Sequence, residues 1–183
     1  MTEIQATDHY TQVNKLYTEH FGSREQVCGI EIGTKCGDLT RTILWALPKC
    51  QLYTIDPWEH RDGAHFEAGE SQEYHNTNKE WAERRLMTPE FQGRIAVLAM
   101  TSEAAHKWIT ENNPGKKYSF VWIDGDHSED AIKKDLELYD PLVDDGGLIG
   151  GHDYGLCPTV TDAVNKKYGQ VNTGADFTWW VFK

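Results

Sequence analysis

Short apolar runs that stop abruptly at an acid or an imidazole recur along this chain, and they constrain its fold more than any other feature. Phe120-Val121-Trp122-Ile123 ends at Asp124-Gly125-Asp126-His127-Ser128. Residues 26–32 (QVCGIEI) carry Glu31 and lead into GTKCGD, and residues 51–55 (QLYTI) end at Asp56-Pro57. Residues 94–100 (RIAVLAM) precede Thr101-Ser102, and residues 148–151 (LIGG) run into His152-Asp153. Runs of this length and composition are strand-like. Acids and imidazoles at the ends of buried strands are costly unless they are paired, hydrogen-bonded or bound to something.

Helical periodicity fills the intervals. Tyr10, Val13, Leu16, Tyr17 and Phe21 share a face over residues 8–21, and Gly22 can end that helix. Residues 39–47 have an apolar face and stop at Pro48. Ser102 is expected to cap a helix that packs through Ala104, Ala105, Trp108 and Ile109. Ser128 is placed to cap another, with Ile132, Leu136 and Tyr139 as its buried stripe. A last helix over residues 159–168 packs through Val160, Ala163, Val164 and Tyr168, and Gly169 ends it. The polar stretch 58–93 suggests only one helix, near residues 78–86. Asp144-Asp145-Gly146-Gly147 reads as a turn, and residues 177–182 (FTWWVF) as a final strand paired back on residues 170–172. Strands alternating with helices predict an α/β, Rossmann-like doubly wound sheet, mostly parallel and covered on both faces. Such sheets bind ligands beyond the carboxyl ends of their strands.

At 183 residues the chain suits a single domain, with an N-terminal helix in residues 1–25 and a variable, substrate-side insertion over residues 57–93. Its net charge of −11 disfavours nucleic acid as a partner and suits a cationic ligand. Cys28, Cys36, Cys50 and Cys157 lack the spacing of a zinc knuckle and fit reduced thiols in the cytoplasm. The N-terminus does not read as a signal peptide, and no apolar stretch is long enough to span a membrane. His60, His65 and His75 lack ligand spacing and are placed on a solvated segment.

The first strand opens into Glu31-Ile32-Gly33-Thr34-Lys35-Cys36-Gly37, where glycines at both ends of the turn let the backbone approach a ligand. Lys35 occupies the place of the middle glycine of G-x-G-x-x-G, so the turn alone does not define a dinucleotide site. Asp56, ending the second strand, stands where an acid takes ribose hydroxyls in nucleotide-binding halves. The bland alternative is a turn aspartate ahead of Pro57, but together with the glycine turn Asp56 favours nucleoside binding.

Taken in order, Glu31-x-Gly33-x-x-x-Gly37, Asp56, Ala99-Met100-Thr101-Ser102, Asp124-Gly125-Asp126-His127-Ser128 and Gly150-Gly151-His152-Asp153-Tyr154 resemble the motifs of class I S-adenosylmethionine-dependent methyltransferases. The resemblance is closest to the small-molecule and sugar O-methyltransferases that include the macrolide and rhamnosyl enzymes. It implies a seven-stranded sheet with an antiparallel C-terminal strand. It also implies roles by position: Glu31, Gly33, Thr34 and Gly37 at the methionine portion of S-adenosyl-L-methionine, Asp56 at the ribose, Thr101 and Ser102 beside the adenine. Asp124, Asp126 and His127 would line the methyl end. The implied acceptor is a hydroxylated small molecule, a sugar or a phenol. An NAD-linked oxidoreductase and a non-catalytic nucleoside-binding protein share parts of this pattern; the glycine turn argues against the first, and Asp124 with Asp153 against the second.

A weakly acidic hydroxyl needs its proton taken or its oxyanion stabilised, and a divalent ion can do both. If the fourth and fifth strands are neighbours, Asp124, His152 and Asp153 end side by side, and residues at these positions bind magnesium or a similar ion in several relatives. His152 departs from an all-oxygen set and opens the choice to manganese or zinc as well as magnesium. Without a metal, Asp126, His127 or His152 remains as the general base. The site is expected to be open, or completed by a neighbouring subunit in a homo-oligomer.

Overall fold

A computed structural model describes residues 8–62 and 66–183. The strands are β1 (Val27–Ile32), β2 (Cys50–Ile55), β3 (Ile95–Leu98), β4 (Tyr118–Ile123), β5 (Val143–Gly151), β6 (Asn172–Thr173) and β7 (Trp179–Phe182). The helices are α1 (His9–Phe21), α2 (Asp38–Ala46), α3 (Gln72–Leu86), α4 (Ser102–Asn112), α5 (Glu129–Tyr139) and α6 (Pro158–Tyr168). The strands form one seven-stranded sheet in the order β3-β2-β1-β4-β5-β7-β6. The first five run parallel, and β7 is antiparallel to both of its neighbours. This is the doubly wound sheet expected from the alternation of strands and helices, with FTWWVF supplying the antiparallel strand.

Each face of the sheet carries its own apolar layer. One packs Ile30, Val121, Ile123 and Ile149 against α4, α5 and α6 through Ile109, Ile132, Leu136 and Val164. The other packs Phe120, Trp122 and Leu148 against α1 and α2 through Val13, Tyr17, Phe21, Ile43 and Leu44. Covering both faces explains why the strands read as continuous apolar runs rather than alternating ones.

Several local expectations are corrected. Helix α3 begins at Gln72 rather than near Asn78, because Ser71 caps it by accepting from the Tyr74 amide at 3.2 Å. Thr101, not Ser102, caps α4, accepting from the Ala104 amide at 3.3 Å. Only Ala105 and Ile109 of α4 are buried, while Ala104 and Trp108 face outward. Tyr10 likewise lies on the exposed side of α1. Strand β5 starts at Val143 and takes in residues 144–147, with a shift of register against β4 between the pairs Tyr118–Val143 and Phe120–Leu148. Asp144 and the two glycines hid that start, since a polar edge segment does not read as a strand.

Candidate functional site

Sheet register brings the polar strand ends to one level. Ile32 pairs with both Ile55 and Ile123, Ile55 with Leu98, and Ile123 with Gly151. The next residue in each chain segment therefore emerges at the same edge: Gly33, Asp56, Asp124 and His152. The Gly33 amide donates to Ile55 O at 2.8 Å, the Asp124 amide to Ile32 O at 2.8 Å, and the His152 amide to Ile123 O at 3.2 Å. Beyond this edge opens a cavity of about 1010 Å³.

The glycine turn is shaped by close approach. Gly33 has φ of 95°, and a Cβ there would stand 1.8 Å from Asp124 O, so no side chain is admissible. Gly37 (φ 81°) starts α2 against Leu86. Gly33 lines the cavity, whereas Glu31, Thr34 and Gly37 stand behind the turn. Glu31 is fully buried, and its Oε2 accepts from Thr40 Oγ1 at 2.5 Å and Thr54 Oγ1 at 2.7 Å. Thr34 Oγ1 lies 2.5 Å from Thr54 Oγ1. Glu31 and Thr34 brace the β1–α2 turn from beneath through Thr40 and Thr54.

Asp56 is tied into the same turn. One carboxylate oxygen accepts from the Lys35 amide and the other from the Trp58 amide, both at 2.8 Å. Trp58 is buried, adopts φ of 48°, and returns a bond from Nε1 to Lys35 O at 2.8 Å. Burial raises the Asp56 carboxyl above its ordinary range, against the lowering effect of the two amides. Each oxygen has acceptor capacity beyond its one amide bond, and Asp56 lines the cavity. Thr101 and Ser102 line its far side; His75, on α3, also faces it, while His60 is exposed and His65 lies outside the described residues.

The other end of the cavity holds two acids and two imidazoles. His127 Nε2 lies 2.9 Å from Asp153 Oδ2 and 3.9 Å from Asp124 Oδ1; His152 Nδ1 lies 3.1 Å and 3.8 Å from the same two oxygens. Burial lowers the tendency of His127 to hold a proton, but Asp124 and Asp153 outweigh it and push its pKa up to about 10. His152 is raised for the same reasons. Burial would raise Asp153, yet the two imidazoles hold it far below the usual carboxylate range. Asp153 sits at φ of 64°, a conformation costly for a side-chain-bearing residue and often found at functional sites. One ligand atom from each of Asp124, His152 and Asp153 lies within 4.8 Å of the others, so the trio expected to meet does meet. Asp126 is differently engaged: it accepts from Arg61 Nη1 and from the Ser128 amide, closing the loop onto the insertion. Ser128 stands at the N-cap of α5 but makes no side-chain cap bond; its own amide is taken by the Asp126 carboxylate in the preceding turn.

Asp135 was not legible as a site residue. It sits on α5 beside Leu136 in the buried stripe, is 3% exposed, and reaches the cavity next to Ser102. Its Oδ1 has no hydrogen-bond partner among the described residues, and burial pushes its pKa up to about 7. The signal was present: an acid within an otherwise apolar helical face.

Glu31 and Asp135 together predict a pH dependence of stability. Burial pushes Glu31 up to about 8 from 4.5, against the bonds from Thr40 and Thr54; Asp135 moves to about 7 from 3.8. Folding therefore takes up protons between those limits, and stability falls as pH rises from about 4 through about 8. Thermal melts from about pH 5 to about pH 8 should show a falling Tm, with a shallower slope in Glu31→Gln, because that variant has no proton to lose. An unchanged slope in the variant would remove Glu31 as the cause.

The sequence matches the methyltransferase-domain family over residues 30–154. The chain belongs to that family, and its sheet order and antiparallel β7 give it the class I S-adenosylmethionine-dependent methyltransferase fold. Among solved structures, CalS11, a calicheamicin methyltransferase, is similar with a TM-score of 0.72 at 13% identity, covering 95% of this chain and 78% of that one. The O-methyltransferase NovP gives 0.68 at 18% identity, covering 96% and 79%. An O-methyltransferase from Bacillus cereus, in complex with SAH, gives 0.65 at 14% identity, covering 100% and 84%. No curated protein matches the sequence. Among the described residues no helix is long and apolar enough to cross a membrane, and all four cysteines are free thiols.

Proposed function

We propose that this protein transfers the methyl group of S-adenosyl-L-methionine to a hydroxyl of a small molecule or sugar, assisted by a divalent ion. The observation that carries the reading is one cavity lined both by Asp56 and by the Asp124, His127, His152 and Asp153 cluster. Asp56 would accept from the ribose hydroxyls, with Gly33 passing the methionine portion and Thr101, Ser102 and Asp135 bordering the adenine. Glu31, Thr34 and Gly37 would set the turn from behind. The acidic edge suits a sulfonium donor. The structurally similar O-methyltransferases, one of them described as a TDP-rhamnose 3'-O-methyltransferase and another crystallised with SAH, support the cofactor and the hydroxyl acceptor.

Asp124, His152 and Asp153 fit a divalent ion in donor type and spacing. Bound there, such an ion polarises the acceptor oxygen and eases loss of its proton. His127 is the group best placed to hold that proton, at Nε2 between Asp124 and Asp153. The carboxylates that keep His127 charged are those the ion would engage, so His127 serves as base only where they are otherwise occupied. Asp126, paired with Arg61, positions the loop and is the weaker base candidate. The acceptor would lie among His9, Tyr10, Arg61, Tyr74 and Leu156, which come from the N-terminal helix, the insertion and the β5–α6 connection. Trp58 and Tyr74 are the described aromatics of the insertion that line the cavity, Trp58 largely buried and tied to Lys35 O, while Tyr154 bonds Asn165.

The test is calorimetric titration with S-adenosylhomocysteine, followed by methyl transfer to a panel of sugars and phenols with magnesium, manganese or zinc and with chelator. Binding in the micromolar range, about −8 kcal/mol, with metal-dependent product is expected. Absence of S-adenosylhomocysteine binding under every condition would overturn the reading.

A further inference from the structure

His152 faces two ways. Its Nδ1 is turned to Asp124 and Asp153, but its Nε2 is buried without a hydrogen-bond partner among the described residues. An unsatisfied buried nitrogen is uncommon and calls for a partner. On that side stand Asp176, from the loop between β6 and β7, and His9, from the first turn of α1. Asp176 Oδ2 lies 3.8 Å from His152 Nε2 and 2.7 Å from His9 Nδ1, and the two imidazole rings are 4.6 Å apart. One ligand atom from each of the three lies within 4.8 Å of the others.

The neighbourhood holds these groups in place. Asp176 and Phe177 both adopt left-handed backbone, with φ of 54° and 59°. The turn carrying them is braced by the Tyr154 amide donating to Phe177 O at 3.0 Å and the Ala175 amide donating to Gln12 Oε1 at 3.3 Å. The His9 amide itself donates to Asp176 Oδ2 at 3.2 Å. Helix α1, the end of β5 and the β6–β7 turn thus converge on one point beside the cavity, which His9 and His152 both line.

We propose that His9, His152 through Nε2 and Asp176 form a binding position for a zinc-class divalent ion, separate from the position at Asp124 and Asp153. Two imidazoles and one carboxylate are the ligand set that zinc, cobalt(II) or nickel prefers over magnesium, and three protein ligands leave a coordination position open toward the cavity. The oxygen-richer side of His152 suits magnesium or manganese, so the two faces of one ring sort ions by chemistry. An ion at the new position ties the N-terminal helix to the strand end and the C-terminal turn. The inference uses no cofactor contact and is independent of the methyl-transfer reading, though it shares His152 with the metal position proposed there.

Chelator-stripped protein is titrated with zinc by calorimetry and with cobalt(II) by visible absorption, in the native chain and in His9→Ala, Asp176→Asn and Asp124→Asn. Loss of one ligand should weaken zinc at least about tenfold in the first two variants and abolish the tetrahedral cobalt bands, while Asp124→Asn retains both. Zinc should also raise the Tm of the native chain, and not that of His9→Ala. Circular dichroism of the metal-free variants checks that they are folded, and the two substitutions lie on different elements. Zinc binding unchanged in both His9→Ala and Asp176→Asn, lost only in Asp124→Asn, or absent from the native chain overturns the proposal. S-adenosylhomocysteine titrated into the same samples separates the two readings: a failure there with zinc binding intact counts only against methyl transfer.

Discussion

Asp56→Ala should weaken S-adenosylhomocysteine binding at least about a hundredfold, since charge-assisted hydrogen bonds contribute roughly 1.5–3 kcal/mol each and two are expected at the ribose. The substitution has a second consequence that must be measured beside the first. Both Asp56 oxygens already accept backbone amides, from Lys35 and Trp58, and those bonds shape the turn after β1 and the start of the insertion. Removing them orphans two amides, so Tm should fall as well. Asp56→Asn separates the effects: its single carbonyl oxygen can keep one amide bond, while its NH2 group cannot accept from the other. If Asp56 binds ribose, affinity falls in both variants by more than the loss of stability accounts for. If it is only a turn residue, Tm drops in Asp56→Ala while calorimetry returns native affinity, and the ribose assignment is wrong.

What could be read from the residues, and what could not, follows one physical line. Strands buried on both faces announce themselves as apolar runs, and the acids that interrupt them mark the sheet edge where ligands sit. That is why Asp56, Asp124, His152 and Asp153 stand out in the sequence itself. Contacts that depend on closing the chain across great separations leave no local trace. His9 and Asp176 are 167 residues apart and meet only because α1 and the β6–β7 turn flank the end of β5. The first half of α3 is polar on every side that a periodicity argument can use, and a Ser71 cap, not an apolar stripe, starts it. Asp135 was masked by its apolar neighbours Ile132, Leu136 and Tyr139, which make a buried helix face easy to see and a lone acid within it easy to pass over. The partners of Glu31 were equally hidden: its carboxyl accepts from Thr40 and Thr54, which lie 9 and 23 residues along the chain.

Asp124→Asn should leave the cofactor site nearly intact and reduce turnover by roughly two to four orders of magnitude, the range general-base catalysis contributes. The backbone at this position is held by the sheet edge, where its amide bonds Ile32 O, and its carbonyl packs on Gly33. Asparagine keeps that frame and nearly the same volume. It removes one negative charge from a cluster in which Asp124 and Asp153 jointly hold His127 and His152. Two losses follow, a hard ligand for the ion and half of the counter-charge that sets the state of His127. They predict different rescues. If the ion is what matters, raising the manganese concentration restores part of the rate, because the remaining ligands still bind it weakly. If His127 alone acts as base, excess metal restores nothing and His127→Ala is as inactive as Asp124→Asn. Single-turnover rates at saturating S-adenosylmethionine, measured across a manganese series for both variants, decide between them. A native rate in Asp124→Asn would exclude both roles and move the chemistry away from the end of β4.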